Sequence, residues 1–446
     1  MAHVGIIGGG LLGLVLARRL RAAGHAVTVL EAAPSFGGLA DRDTIGGYGW
    51  DRFYHVVLLS DLHTRGLLAE LRMEDRLRWG RTRTGFFGGG RLHSLSSSLE
   101  YLTFPLLSLP QKARLAATIL RASRVTDPAP LERETVEAWL TRWSGRRVFE
   151  RMWLPLLRSK LGENYRVASA AFIWAIIARM YAARRSGLKE EMFGWIDGGY
   201  GGVLDRLVAT LRTAGVDLVG AAPAAEVRAD DDGATVIAPD GTGRRFDHVV
   251  LTVPTTRAAA LLPQLRADER ERLRRVTYQG IVCHTLLLRR PLAGYYVTNI
   301  TDAGFPFTGV IEMTALVDRG RFGGNTLVYL PRYLTADDPT WRRSDAELEA
   351  EAVAGLGRMY PDLAADDVLA VRTARVREVL AVATLDYSRA LLPPVRTSLE
   401  RVCLVNSAQI VNGTLNVNET VALAEAKARE LTGMLAASPR AEVAGV

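Results

Sequence analysis

Apolar positions along this chain fall into blocks whose spacing changes from run to run. His3 to Ile7 is a short apolar run, Gly8-Gly9-Gly10-Leu11-Leu12-Gly13 follows, and from Leu14 to Ala23 apolar side chains recur at helical spacing. A buried strand, a glycine turn and an amphipathic helix are predicted in that order. Gly24 turns the chain into a second apolar run, Ala26 to Leu30, which ends at Glu31. Later runs predict further strands: Ala225 to Arg228 before the turn Asp230-Asp231-Asp232-Gly233, the apolar residues between Phe246 and Val253, Thr285 to Leu288, Thr326 to Leu330, and Val402 to Val405. Residues 95–190 read as mainly helical, residues 276–335 as strand-rich, and a last helix is predicted from about Asn418 to Leu431. Strands and helices interleaved over most of the length place the fold in the α/β class.

The first block carries chemistry as well as structure. Gly8 permits a tight turn, Gly10 lets backbone approach a pyrophosphate, and Gly13 lets the helix pack close to the strand, so the helix amino terminus faces the phosphate charge. Glu31, eighteen residues past Gly13, is placed to accept hydrogen bonds from ribose hydroxyls. An acid there disfavours a 2′-phosphate. Strand, turn, helix, strand and acid together predict a Rossmann-type dinucleotide site, with NAD and FAD both open at this point.

Composition narrows the setting. At 446 residues the chain exceeds a single core, so two joined domains are expected. Only two cysteines occur, Cys283 and Cys403, neither in a metal-ligand spacing; no zinc site or disulfide framework is expected, and a cytoplasmic location fits. The formal net charge of +8 comes from dispersed arginines and points to an anionic substrate, since no motif for nucleic acid accompanies it. No stretch keeps 18 apolar residues free of charge, so no transmembrane segment is expected. The first residues lack a basic stretch and are broken by glycines, which argues for a buried strand over a leader peptide.

After Glu31 the chain reads Ala32-Ala33-Pro34-Ser35-Phe36-Gly37-Gly38-Leu39-Ala40. A glycine pair at this distance resembles the extended fingerprint of the flavoprotein superfamily that contains amine oxidases, protoporphyrinogen oxidases, carotenoid desaturases and UDP-galactopyranose mutases. The likeness continues through Asp51-Arg52-Phe53-Tyr54-His55, Trp153-Leu154-Pro155-Leu156-Leu157 with Lys160-Leu161-Gly162, Gly198-Gly199-Tyr200-Gly201-Gly202-Val203-Leu204, Thr252-Val253-Pro254, and Gly413-Thr414-Leu415-Asn416. The resemblance implies FAD, bound by Gly8, Gly10, Leu11, Leu12, Gly13, Glu31, Ala32, Gly37, Gly38 and Leu39, with Val227 on the adenine side, Thr252 and Pro254 near the ring, and Asn406, Leu415 and Asn416 around the last helix. That helix is expected to aim its positive amino terminus at the flavin pyrimidine edge. The fold implied is a Rossmann-type FAD-binding domain with a discontinuous α+β substrate domain. Residues 1–85, 190–275 and 390–446 are assigned to the cofactor part, 86–189 to a helical and 276–389 to a strand-rich substrate part.

Two departures matter. Leu39 stands where amine oxidases often carry arginine, and Thr277 to Cys283 lacks the lysine they place beside the flavin. Cys403, inside an apolar strand, is expected to be a buried thiol, leaving the flavin free of covalent attachment. Beside the ring, Tyr54 and His55 are the catalytic candidates, His55 because histidine changes charge near neutral pH. Tyr296, Asn299, Glu312, Arg332 and Tyr333 are the substrate candidates, with Arg332 expected to hold an anionic group.

The leading expectation is removal of a hydride from a small molecule to flavin N5, in secondary metabolism, with molecular oxygen or another electron acceptor taking the electrons. The alternatives are a redox-neutral nucleotide-sugar mutase, and a membrane-associated oxidase using the apolar stretch Leu99 to Leu109, which Pro105 interrupts.

Overall fold

The structure is a computed structural model that describes residues 1–184, 192–411 and 414–437. Five parallel strands form one sheet, in the order Val402–Leu404, His248–Leu251, His3–Ile7, Ala26–Leu30, Asp217–Val219. Val4 and Ile6 at its centre are fully buried, as are Leu14, Val15 and Leu16 on the covering helix. Burial on both faces explains why these strands read as continuous apolar runs rather than alternating ones. The order changes direction at His3–Ile7, which pairs with the strand that follows it on one side and with one more than 240 residues later on the other. Ligands of such sheets bind at this switch point, beyond the carboxyl ends of the strands.

The first helix spans Leu11–Ala22, three residues earlier than its apolar spacing predicted. Gly10 is its amino-terminal cap residue, so Gly13 lies in the first turn. The helix starts before its apolar spacing becomes regular because Leu11 and Leu12 belong to the glycine motif and to the core at once; both are buried. The last helix likewise starts slightly early, at Val417, and extends to Ala437. Its Val421, Ala424 and Leu431 share a core with Leu14 and Val15 of the first helix.

A seven-stranded sheet lies beside the first, in the order Val368–Ala381, Tyr278–Leu288, Thr326–Leu334, Gly309–Glu312, Val297–Ile300, Thr84–Gly88, Arg91–Ser94. Tyr278–Leu288 is buried along its whole length, between antiparallel neighbours on both edges. A helical layer from Ser98 to Arg184 packs a separate core around Trp139, Phe149, Trp153 and Phe172. The stretch Leu99 to Leu109 falls in two helices, Ser98–Thr103 and Leu109–Arg124, broken around Pro105. No helix among the described residues is long and apolar enough to cross a membrane.

Candidate functional site

At the carboxyl edge of the parallel sheet the glycines have separable jobs. Gly8 adopts a φ of +112°, and a Cβ on it would meet the Thr252 hydroxyl at 2.5 Å. That hydroxyl donates to the carbonyls of Ile7 and Gly8, at 3.1 and 3.0 Å, tying two strand ends together. A Cβ on Gly13 would stand 2.0 Å from the Gly8 carbonyl oxygen, so only glycine lets the helix approach this closely. Gly10 differs. A Cβ there would meet nothing nearer than the Gly38 Cα, at 3.9 Å.

The second glycine pair closes over this opening. The Gly37 N–H donates to the Gly9 carbonyl at 2.9 Å, and Gly10 and Gly37 form an isolated bridge. Glu31, at the end of its strand, accepts from the backbone N–H of Gly9 at 2.6 Å and of Ala33 at 2.9 Å, which aligns the loop. No side chain caps the helix that starts at Leu11, so its leading N–H groups face the gap between Gly10 and Gly38 unpaired by the helix itself. This is a cradle for a pyrophosphate: open where a side chain would fill it, and rimmed by donors. The residues present fit the dinucleotide that the sequence implies.

The remaining cofactor candidates sit at varied depths. Thr252 and Pro254 follow the strand His248–Leu251, and Asn406 follows Val402–Leu404; the Asn406 amide is buried, its oxygen accepting from the Ala408 N–H and its nitrogen lacking a partner among the described residues. Val227 is fully buried beneath the sheet with Leu30 and Val249. Ala32 is exposed, Leu39 half-buried. Asn416 caps the last helix, accepting from the Glu419 N–H at 3.0 Å, next to a half-buried Leu415; Gly413 lies outside the described residues.

A seam of aromatic side chains packs on one face of the second sheet, together with Ile45, Trp50 and Phe53 and with Leu39 of the cradle loop. Tyr54, Tyr296, Tyr329 and Tyr333 share one core with Cys283, Phe193 and Ile281. The Tyr329 hydroxyl donates to the Asp51 carbonyl at 2.5 Å, while the Asp51 carboxylate accepts from the Tyr200 N–H at 2.7 Å, at the start of the helix Gly199–Thr213. Asp51 therefore joins three distant segments. Burial pushes its carboxyl up to about 7, against the backbone hydrogen bonds that pull it down.

His55 lies edge-on to Tyr200 and directs Nε2 at the Leu39 carbonyl, 3.3 Å away. Burial lowers it to about 4, so the ring is neutral at physiological pH, in contrast to the titrating histidine that the sequence led us to expect. Tyr54 and Tyr333 come together, hydroxyls 3.1 Å apart, although 279 residues separate them. Tyr296 is buried against Phe193, its hydroxyl without a partner among the described residues. Asn299 shares a face of its strand with Val297, which packs on the seam core.

Arg332 and Glu312 are not brought to the seam. Tyr333 pairs with Ile281 and Arg332 with Val282, and the pleat sends these pairs to opposite faces: Ile281 and Tyr333 belong to the seam core, Val282 to a core on the far side. Glu312 pairs with Val328 of the far face and accepts from the N–H groups of Leu292 and Gly294, latching a loop. Lys160 and Asp51 are seam residues for which the sequence alone predicts no role.

A pyrophosphate cradle beside an aromatic seam defines a dinucleotide-dependent oxidoreductase. The chain belongs to the family of flavin containing amine oxidoreductases, whose sequence profile matches residues 13–422. It is thus an FAD-dependent oxidoreductase, with the α/β cofactor domain and discontinuous α+β substrate domain of that superfamily. The coproporphyrinogen III oxidase of Mycobacterium leprae (strain TN) is 27% identical over 280 residues, a stretch that covers 58% of this chain and 61% of that relative. Among solved structures, a protein from Exiguobacterium sp. 255-15 assigned as a protoporphyrinogen oxidase superposes with a TM-score of 0.78 at 18% identity, covering 96% of this chain and 98% of the other. Putrescine oxidase bound to putrescine gives 0.71 at 17%, covering 97% and 99%. Reduced UDP-galactopyranose mutase gives 0.73 at 14%, covering 97% and 94%.

Proposed function

We propose that this enzyme takes a hydride from a small organic molecule bearing an anionic group, in a reaction of secondary metabolism, with FAD held non-covalently and oxygen or another acceptor receiving the electrons. The observation that carries the reading is the seam itself: an aromatic cluster on the second sheet, buried in most of its members, packs against Leu39, the residue that follows the second glycine pair of the cradle. Bound FAD supplies the two-electron acceptor. This chain supplies the rest. Gly10, Gly37 and Gly38 would leave room for the pyrophosphate, the uncapped helix at Leu11 would face its charge, and Glu31 orients the loop. Tyr54, Tyr296 and Tyr333 shape the substrate side and exclude water, which strengthens electrostatic interactions within the site.

His55 acts by position, through the Leu39 carbonyl and the Tyr200 ring. Cys403 is buried in its strand, which supports a flavin without a covalent link. The test is a visible spectrum of purified protein followed by anaerobic titration with candidate donors, coproporphyrinogen III and putrescine among them. Bleaching of the flavin by an organic acid is the expected result. Turnover only after chemical pre-reduction, with no oxygen consumed, would overturn the proposal.

A further inference from the structure

Donors and acceptors at the seam do not balance. Lys160, on the helix Leu154–Leu161, donates from Nζ to the Tyr54 hydroxyl at 2.9 Å, and Tyr54 in turn lies 3.1 Å from the Tyr333 hydroxyl. The ammonium is bracketed by the two rings, 5.2 Å from the centroid of Tyr54 and 5.3 Å from that of Tyr333. An ammonium carries three hydrogens and no lone pair. One goes to Tyr54. No described carboxylate is paired with Lys160, and the nearest acid in sequence, Glu163, is held by Arg158 and Arg166.

The phenols leave a second surplus. Whichever of Tyr54 and Tyr333 donates to the other, one hydroxyl hydrogen stays unclaimed, because neither phenol has a described acceptor elsewhere. Burial raises both phenols above the ordinary tyrosine range, so both remain protonated donors. Among the described residues, two ammonium hydrogens and one phenol hydrogen therefore meet no protein acceptor, beside half-buried aromatic rings and with Lys160 exposed at their edge.

We infer that Lys160, Tyr54 and Tyr333 form a subsite for one carboxylate of the substrate, and that this cation, not Arg332, selects an organic acid. A carboxylate is acceptor-only and offers lone pairs to several donors at once. Its single charge matches one ammonium; a phosphate dianion calls for more positive charge or for the two-pronged donor of arginine. The rings that flank Lys160 require flat or apolar carbon next to the carboxylate. This inference rests on the proposed oxidation of an anionic molecule and names the group by which that molecule is held.

The test uses FAD-loaded protein and two probes of equal shape, benzoate and its neutral counterpart benzamide, titrated by calorimetry. Wild-type protein should bind benzoate at least tenfold tighter than benzamide. Lys160→Met, which keeps an unbranched stem, should lose that tenfold while benzamide binding and the flavin-to-protein ratio stay unchanged; Lys160→Arg should restore part of the preference, and Tyr333→Phe should weaken benzoate by a few fold. Equal binding of the two probes by wild type, or a preference that survives Lys160→Met in flavin-loaded protein, overturns the inference. A preference abolished by Lys160→Met in a protein whose flavin no donor reduces keeps the subsite and removes the oxidation. Flavin reduced only by amines, with no benzoate preference, does the reverse.

Discussion

The glycine cradle and the aromatic seam meet at Leu39 but are made of opposite materials. The cradle is backbone: glycines, peptide N–H groups and a helix end, assembled from one contiguous stretch with a second loop folded over it. The seam is side chain: phenols, an ammonium and a carboxyl carried by elements far apart in sequence and fixed by burial. A site of the first kind fails when an atom is added. A site of the second kind changes when a charge or a proton is taken away.

The contrast is most severely tested at Gly13, where alanine would place its Cβ 2.0 Å from the Gly8 carbonyl. Gly13→Ala should yield no FAD-loaded folded protein, read as flavin absorbance per protein together with circular dichroism. Next comes Gly10→Val. Its side chain enters open space, so the apoprotein should melt close to wild type while flavin retention is lost; full occupancy would show that no pyrophosphate lies there.

Effects at the seam should be smaller and should follow pH. The Asp51 carboxyl sits at about 7 in the fold, above its ordinary value. Below the ordinary value, folded and unfolded chains are both protonated there. As pH rises from about 4 towards 7 only the unfolded chain ionises, so stability is lost at up to about 1.4 kcal/mol per pH unit and the loss levels off above the folded value. Asp51→Asn keeps an oxygen for the Tyr200 N–H and removes that loss: its melting temperature relative to wild type should climb between those pH values and then stay flat. A constant difference would show that Asp51 is ionised in the fold. His55→Asn should leave the pH profile of anaerobic flavin reduction unchanged in shape from about pH 5.5 to 8, since His55 sits at about 4 and stays neutral throughout. Arg332→Ala should change substrate binding less than twofold, because its side chain leaves the sheet on the far face; a tenfold loss would place it in the seam after all.

The same contrast decides what could be read from the sequence. The cradle was legible because its parts are neighbours along the chain, and each glycine answers a local constraint that spacing exposes. Four of the five parallel strands were legible as apolar runs, the partly exposed edge strand Asp217–Val219 was not, and the first helix begins three residues before its apolar spacing predicts because Leu11 and Leu12 serve turn and core together. The face on which Arg332 lies was not legible for a physical reason: Thr326 to Leu330 is buried on both faces, so alternation carries no sign of which face holds the seam. Lys160 meets Tyr54 across 106 residues, a pairing no local pattern records. One compositional hint existed, for only four of the 56 basic residues are lysines.

The interleaving of the two sheets also bears on how the molecule is made. Leu14 and Val15 of the first helix are buried partly by Val421, Ala424 and Leu431, and the parallel sheet ends in a strand contributed by Val402–Leu404. A growing polypeptide leaving the ribosome thus carries an unfinished first helix until some 400 residues later have been added. At synthesis rates of about 5–20 residues per second that wait lasts tens of seconds, during which the exposed apolar stripe is a substrate for chaperones.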